Sequence, residues 1–243
     1  MNLLLVEPAE VTADGTIVLD DRRAEHLRRI VGVAVGDPVK TGIVGGRLGT
    51  ATVLADVDGR MTLSLALTAP ASEPMPVSLL LAVPRPKVLT RVIETAAAFG
   101  VTRIDFTNAW RVDKAYLASP RLAAEATAYA ARYGAEQGAT THQPPVALHD
   151  RLMGLLDARW PAAATPGTRL VAHPAAPPIE AAQLTWPLTL AIGPEGGWIQ
   201  REVDTFAERG FQLVSLGRPI LRVESAIAAA LGQLLLLHRT RGN

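Results

Sequence analysis

Leu190-Ala-Ile-Gly-Pro-Glu-Gly-Gly-Trp198 is the stretch on which the fold turns. The apolar run over residues 187–192 stops abruptly at Gly193-Pro194-Glu195-Gly196-Gly197, and an amphipathic segment begins at once. The pattern predicts a buried strand, a tight glycine loop and then a helix. In α/β proteins ligands bind beyond the carboxyl ends of the strands, so this loop is the first place to look for chemistry. Glycines there let a ligand approach without meeting a Cβ. Glu195 sets a charge in the middle of that backbone nest.

Strands are predicted over 77–83, 102–106, 168–172, 187–192 and 211–215. Helices are predicted over 87–99 with Gly100 at the C-cap, 121–137, 199–209 ended by Gly210, and 224–239. Strands alternating with helices imply a mostly parallel sheet covered on both faces, hence an α/β domain over 77–243. Residues 69–76 carry three prolines in eight positions and read as a linker. Before it, residues 1–70 are β-rich. Apolar runs at 39–44 and 50–55 are separated by Gly45-Gly46, and Asp58-Gly59 joins 50–55 to 61–67 as a hairpin. One helix interrupts them, capped by Asp20 or Asp21, with Ala24, Leu27, Ile30 and Val31 at helical spacing. Segments 161–166 and 175–178 are expected as surface loops.

The 243 residues suffice for two modest domains, and 49% apolar composition argues against disorder. There is no cysteine, which excludes disulfides, thiolate metal sites and cysteine nucleophiles. His26, His142, His149, His173 and His238 show no tight metal-ligand spacing, and no metal is expected. The N-terminus does not read as a signal peptide, and the apolar stretch 226–237 is too short to span a bilayer. A cytoplasmic protein is expected. The net charge of +1 leaves any polyanion site to a local patch.

A second glycine-bearing loop, Leu216-Gly-Arg-Pro-Ile-Leu-Arg-Val-Glu-Ser-Ala226, follows the strand at 211–215. Neither loop matches the dinucleotide fingerprint or the phosphate-binding P-loop, so triphosphate hydrolysis has no support. Arg218, Arg222 and Glu224 precede a nearly pure apolar helix and must be solvated, paired or used. Glu224 also suits a helix N-terminus, where an acid satisfies the dipole. Arg22, Arg23, His26, Arg28 and Arg29 fall within eight residues. With Ala24, Leu27 and Val31 on the other face, they form a cationic stripe that either binds phosphates or is simply solvated. Arg111, Lys114 and Tyr116 form a second basic-aromatic cluster, in which Tyr116 either stacks a base or packs.

Taken together, these segments resemble the RsmE family of ribosomal RNA methyltransferases, within the SPOUT superfamily. The resemblance runs over almost the whole chain. It rests on His26-Leu-Arg-Arg-Ile30 with Gly36-Asp37, on Phe99-Gly-Val-Thr-Arg-Ile104 and on Glu136-Gln137. It rests most on Ile192-Gly-Pro-Glu-Gly-Gly197 followed by Leu216-Gly and Ile220-Leu-Arg-Val-Glu-Ser-Ala226. It implies a PUA-like RNA-binding β-barrel over 1–70 and a SPOUT α/β domain over 77–243 with a deep trefoil knot. It also implies a homodimer, S-adenosylmethionine as cofactor, and methylation of N3 of one uridine in 16S ribosomal RNA of the small subunit.

The implied cofactor site comprises His173, Ile192, Gly193, Pro194, Gly196, Gly197, Leu216, Gly217, Ile220, Leu221, Arg222, Ser225 and Ala226. N3 of uridine is a weakly acidic imide and becomes a nucleophile when its proton leaves. Glu195 and Glu224 are the candidate bases, with Arg222 or Arg218 to stabilise charge on the carbonyls. Arg22, Arg23, His26, Arg28, Arg29, Arg111 and Lys114 are the expected RNA contacts. Departures from the family pattern fall at Thr95, Ala98, Thr140, Thr141 and Pro219, with Ser225 for threonine and Trp198 for phenylalanine or leucine. The rival readings are a SPOUT enzyme acting on another RNA position, a non-catalytic RNA-binding ribosome-assembly factor, and a small-molecule nucleotide-binding enzyme.

Overall fold

The computed structural model describes residues 1–161 and 167–241. The loop expected over 161–166 therefore lies, from residue 162 onward, outside the described residues. The fold is mixed α/β, and the chain divides into two compact units.

The first unit comprises residues 1–74 and 132–143. Its elements are β1 (Leu4–Val6), β2 (Thr16–Leu19), α1 (Arg22–His26), β3 (Pro38–Ile43), β4 (Leu48–Val57) and β5 (Arg60–Ala69). The sheet order is β1-β3-β4-β5-β2, antiparallel except for the parallel pair β1 and β3. Asp58-Gly59 turns β4 into β5 with φ of 51° and 78°. Two successive positive φ values are what a two-residue hairpin matched to strand twist requires. The β4–β5 register shifts between Val53 and Ala55, a bulge that increases local twist. Leu4, Val6, Ile17, Leu19, Met61 and Leu63 fill the core between these strands.

The helix expected after Asp20 or Asp21 starts with Asp21 as cap, its carboxylate accepting the Arg23 N–H at 2.8 Å. It does not keep its period. From Leu27 to Val31 the turn widens into a π-helix, with Gly32 N–H donating to Leu27 O at 2.9 Å. Widening the turn shifts the phase of every later side chain. Ala24 and Leu27 are buried as expected, whereas Ile30 and Val31 are exposed, which corrects their assignment to the apolar face.

The second unit comprises residues 75–131 and 144–243. Its elements are β6 (Met75–Ala82), α2 (Pro86–Ala98), β7 (Val101–Thr107), α3 (Lys114–Leu117), α4 (Ala124–Gly138, whose end from Arg132 counts with the first unit) and β8 (Val146–His149). They continue with α5 (Leu152–Arg159), β9 (Thr168–Ala172), β10 (Leu188–Ile192), α6 (Gln200–Glu208), β11 (Gln212–Val214) and α7 (Val223–Arg241). All six strands are parallel, in the order β11-β9-β10-β6-β7-β8. Leu79, Leu80, Leu81 and Ala82 are buried in succession, the mark of a central strand covered on both faces. Leu190 of β10 sits between Leu79 and Leu170 in register.

Because β11, β9 and β10 are adjacent and parallel, the loops that leave their carboxyl ends gather at one edge of the sheet. Among the described residues no helix is long and apolar enough to cross a membrane.

Candidate functional site

A cavity of about 330 Å³ opens at that edge. Its walls are the segments leaving β9 (Ala172 to Ala175), β10 (Ile192 to Trp198) and β11 (Ser215 onward), closed below by Val223 and Ala226 of α7. Arg111, from the loop after β7, completes it.

Each loop is held by its own backbone. Gly197 N–H donates to Pro194 O at 2.7 Å, folding the glycine loop back on itself, and Gly197 takes a φ of 70°. A Cβ on Gly193 would lie 3.1 Å from Trp198 N and 3.3 Å from Gly197 C, so a side chain there would press on backbone that must give way. The third loop is fixed through Ser215, whose hydroxyl accepts the Gly217 N–H at 3.2 Å, and through Gln233 Nε2, which donates to Leu216 O at 2.9 Å. His173 accepts the Ala175 N–H on Nδ1 at 3.3 Å.

Glu195 stands at the wall with its carboxylate oriented. Oε1 accepts the backbone N–H of Arg85 at 3.1 Å, and Arg85 Nε lies 3.8 Å away. Arg111 Nη1 donates to Gly196 O from the other side. Glu202, buried in α6, accepts Trp110 N–H at 2.8 Å with one oxygen and Ile199 N–H at 3.0 Å with the other. The start of α6 and the loop after β7 are thereby pinned to one carboxylate.

Of the expected cofactor residues, His173, Ile192, Gly193, Pro194, Gly196, Gly197, Leu216, Gly217, Ile220, Leu221 and Ala226 line the cavity. Arg222 and Ser225 do not; both are exposed beside it. Among the expected catalytic groups, Glu195 lies on the wall, whereas Arg222 and Glu224 do not. Glu224 occupies the first turn of α7, where an acid complements the dipole.

The cationic stripe of the first unit is only partly a stripe. Arg23 is 7% exposed and bonded to Glu10, Asp21 and Leu5 O, so it belongs to the interior. Its hydrogen bond holds the Glu10 carboxyl below the usual glutamate range. Arg22 Nη2 donates to both oxygens of buried Glu136 at 3.0 and 2.9 Å. Arg28 pairs with Asp56, depressing that carboxyl, and Arg29 pairs loosely with Glu25. His26 contacts the N-terminal ammonium at 3.2 Å; partial burial, that ammonium and Arg22 keep its pKa below the ordinary histidine value. Arg111 serves the cavity wall, and Lys114 is exposed at the start of α3. Tyr116 is half-buried and packs on the core.

Asp105, which the motifs did not single out, is 1% exposed on β7. It accepts from Arg103, Arg159 and His149 at 2.7–3.0 Å, so its oxygens are saturated and it reads as structural. No group of three or more metal-ligating side chains occurs among the described residues.

Residues 71–235 match the RNA methyltransferase domain family, more than half of the chain. The chain belongs to that family. This methyltransferase is 28% identical over 243 residues to the ribosomal RNA small subunit methyltransferase E of Treponema pallidum, covering 95% of this chain and 89% of that protein. It is 26% identical over 234 residues to the protein of the same name from Synechocystis, covering 95% and 76%. Its fold is shared with the ribosomal RNA small subunit methyltransferase E of Neisseria gonorrhoeae bound to S-adenosyl methionine, at a TM-score of 0.80, 23% identity and 98% coverage of both chains. A probable rRNA-methyltransferase of Porphyromonas gingivalis superposes at 0.76 with 20% identity and 99% coverage of both.

Proposed function

We propose that this RNA methyltransferase uses S-adenosylmethionine to methylate N3 of one uridine in 16S ribosomal RNA of the small subunit. The observation that carries the reading is the convergence of three strand-end loops on one cavity with a single anchored carboxylate, Glu195, on its wall. The cavity suits a nucleoside-sized cofactor, being within the roughly 300–1,000 Å³ of small-molecule pockets. The loop's close fold at Gly193, where a Cβ would press on Trp198 N and Gly197 C, keeps bare backbone at the cavity wall. The buried Trp198 Nε1–H has no hydrogen-bond partner among the described residues and lies against the backbone of the glycine loop.

We assign the holding of the nucleoside to Ile192, Gly193, Gly197, Leu216, Ile220 and Leu221, with His173 at the rim. Bound S-adenosylmethionine supplies an electrophilic methyl on a sulfonium. The chain's own part is to hold the uracil in line and to take a proton. Glu195 is the acceptor of the N3 proton, because its carboxylate is on the wall and already held by Arg85. Arg222, exposed on the adjoining loop, meets charge on the uracil carbonyls or an RNA phosphate from the solvent side.

The further parts of the reading are proposals of the same kind. Residues 1–70 act as a PUA-like RNA-binding barrel, supported by the bulged five-stranded sheet. Residues 77–243 act as a SPOUT domain with a trefoil knot, supported by the strand order β11-β9-β10-β6. A homodimer is supported by the exposed Ile220, Leu235 and Leu236, and a cytoplasmic location follows from a ribosomal substrate.

The test is methyl transfer from labelled S-adenosylmethionine to small ribosomal subunits lacking the modification, mapped by nuclease digestion and mass spectrometry. Label at one uridine N3 establishes the reading. Label elsewhere supports a related enzyme with another target, and cofactor binding without label supports the assembly-factor role.

A further inference from the structure

We propose that Trp110 is a stacking platform for an unpaired nucleobase of the RNA, set beside the cofactor cavity. The inference rests on the methyltransferase reading above and adds a recognition residue to it.

Trp110 is 78% exposed, in contrast with the other three tryptophans. Trp160 and Trp198 are buried against Phe211 and Phe206, and Trp186 packs edge-on to His238 at 4.5 Å. An indole is the largest apolar side chain, and leaving it in water forgoes more burial energy than any other residue would.

The exposure is not that of a loose loop. Ala109 and Val112 on either side are buried, and Val112 N–H donates to Ala109 O at 3.0 Å, closing a turn with Trp110 at its tip. Trp110's own N–H is held by buried Glu202 at 2.8 Å. The backbone is held by these two hydrogen bonds while the ring stands in solvent, an arrangement that pre-organises an aromatic for stacking.

Its surroundings fit a nucleic acid better than a protein. The next residue, Arg111, lines the cavity and crosses to Gly196 O, so the platform is one residue from the wall. Arg111 and Lys114, both exposed, follow it within four residues, and no apolar run surrounds it in sequence; the acids nearby are Asp113 in the same loop and Glu202, which is committed to the Trp110 N–H. An isolated aromatic among cations is the composition of a single-strand RNA surface, where bases stack and phosphates meet cations. A protein partner would call for a wider apolar area. The chemistry agrees. N3 lies on the pairing edge of uracil, so the target must be unpaired, and a base drawn out of its stack loses a π contact that an indole can replace.

The test compares wild type with Trp110→Ala and Trp110→Phe. The backbone N–H to Glu202 survives in each, so the loop keeps its anchor. Two RNA probes are titrated, a labelled single-stranded oligouridylate and small ribosomal subunits lacking the modification, with S-adenosylmethionine titrated separately. Trp110→Ala is expected to bind both RNAs roughly tenfold more weakly, Trp110→Phe to recover most of the loss, and cofactor affinity to hold within about twofold. Equal RNA affinity for Trp110→Ala and wild type overturns the proposal. So does a failure of wild type to bind either RNA, a phenylalanine variant as weak as the alanine one, or a change in oligomeric mass on Trp110→Ala, which would assign the ring to an interface between copies. Binding through Trp110 without any methyl on uridine N3 leaves the platform standing and removes the proposed reaction instead.

Discussion

Arg111 Nη1 donates to the carbonyl oxygen of Gly196, so the loop after β7 is fastened across the glycine loop after β10. The bond ties two parts of the cavity wall that otherwise have separate anchors, Glu202 for one and the Pro194–Gly197 turn for the other. Hydrogen bonds from a charged donor contribute about 1.5–3 kcal/mol. Arg111→Ala is expected to weaken cofactor binding about tenfold and to slow methyl transfer further by freeing the loop. Isothermal titration with S-adenosylmethionine checks the first, single-turnover kinetics the second. An unchanged affinity would mean that the glycine loop holds its shape alone.

Gly193 and Gly197 make a second, sharper comparison. A Cβ at Gly193 meets backbone at 3.1 and 3.3 Å, and backbone cannot step aside as a side-chain tip can. At Gly197 nothing lies within 4 Å, and the cost is only that of a φ of 70°. Gly197→Ala should therefore cost about 1 kcal/mol of stability and leave the cavity usable. Gly193→Ala should deform the loop and reduce cofactor affinity by more than about tenfold. Thermal unfolding and cofactor titration on both variants separate strain from shape.

Glu195→Gln removes the proton acceptor while keeping the Arg85 N–H bond, because an amide oxygen also accepts. Loss of a general base typically costs about 10²–10⁴ in rate. Turnover is expected to fall by about 100-fold or more, with S-adenosylmethionine affinity nearly unchanged. Glu224→Gln, altering a carboxylate off the wall, should lower the rate only a few-fold. If the two variants exchange these outcomes, the base is Glu224 and α7 must be reconsidered as the reacting edge.

How much of this could be read from residues alone differs by element. The parallel sheet and both cavity loops are legible because long apolar runs end in glycine, a pattern with one local cause. The cross-links are not, since Arg111 to Gly196 spans 85 positions and Trp110 to Glu202 spans 92. β1 is three residues long, too short for alternation to register, and β8 is four. Ile30 and Val31 escape their predicted face because a π turn is set by backbone hydrogen bonding, which leaves no mark in apolar spacing. Nothing in the residues around Trp110 separates it from Tyr116, because exposure of a ring depends on what the rest of the fold leaves uncovered.

The arginines after Asp21 show why a charge stripe is two populations. Arg23 is buried and shared between Glu10, Asp21 and Leu5 O, whereas Arg29 is exposed and pairs with Glu25 four residues earlier. Removing the buried Arg23 guanidinium takes a partner from Leu5 O and from the partly exposed Glu10 and Asp21 carboxylates and leaves a gap in the interior, whereas an exposed helix pair contributes about 0.3–0.5 kcal/mol. Arg23→Ala should therefore lower the unfolding temperature markedly and leave the salt dependence of RNA binding unaltered. Arg29→Ala should do the reverse, reducing the salt slope by about one phosphate contact with no loss of stability. The same network predicts an acid limb. Because Arg23 holds the Glu10 pKa below its unfolded value, the pair stabilises fully above the unfolded carboxylate range and loses that contribution as pH falls through the depressed folded value. Glu10→Gln should start less stable at neutral pH and flatten that limb. A wild-type profile as flat as the variant's would show that the Arg23–Glu10 bond contributes nothing to folding.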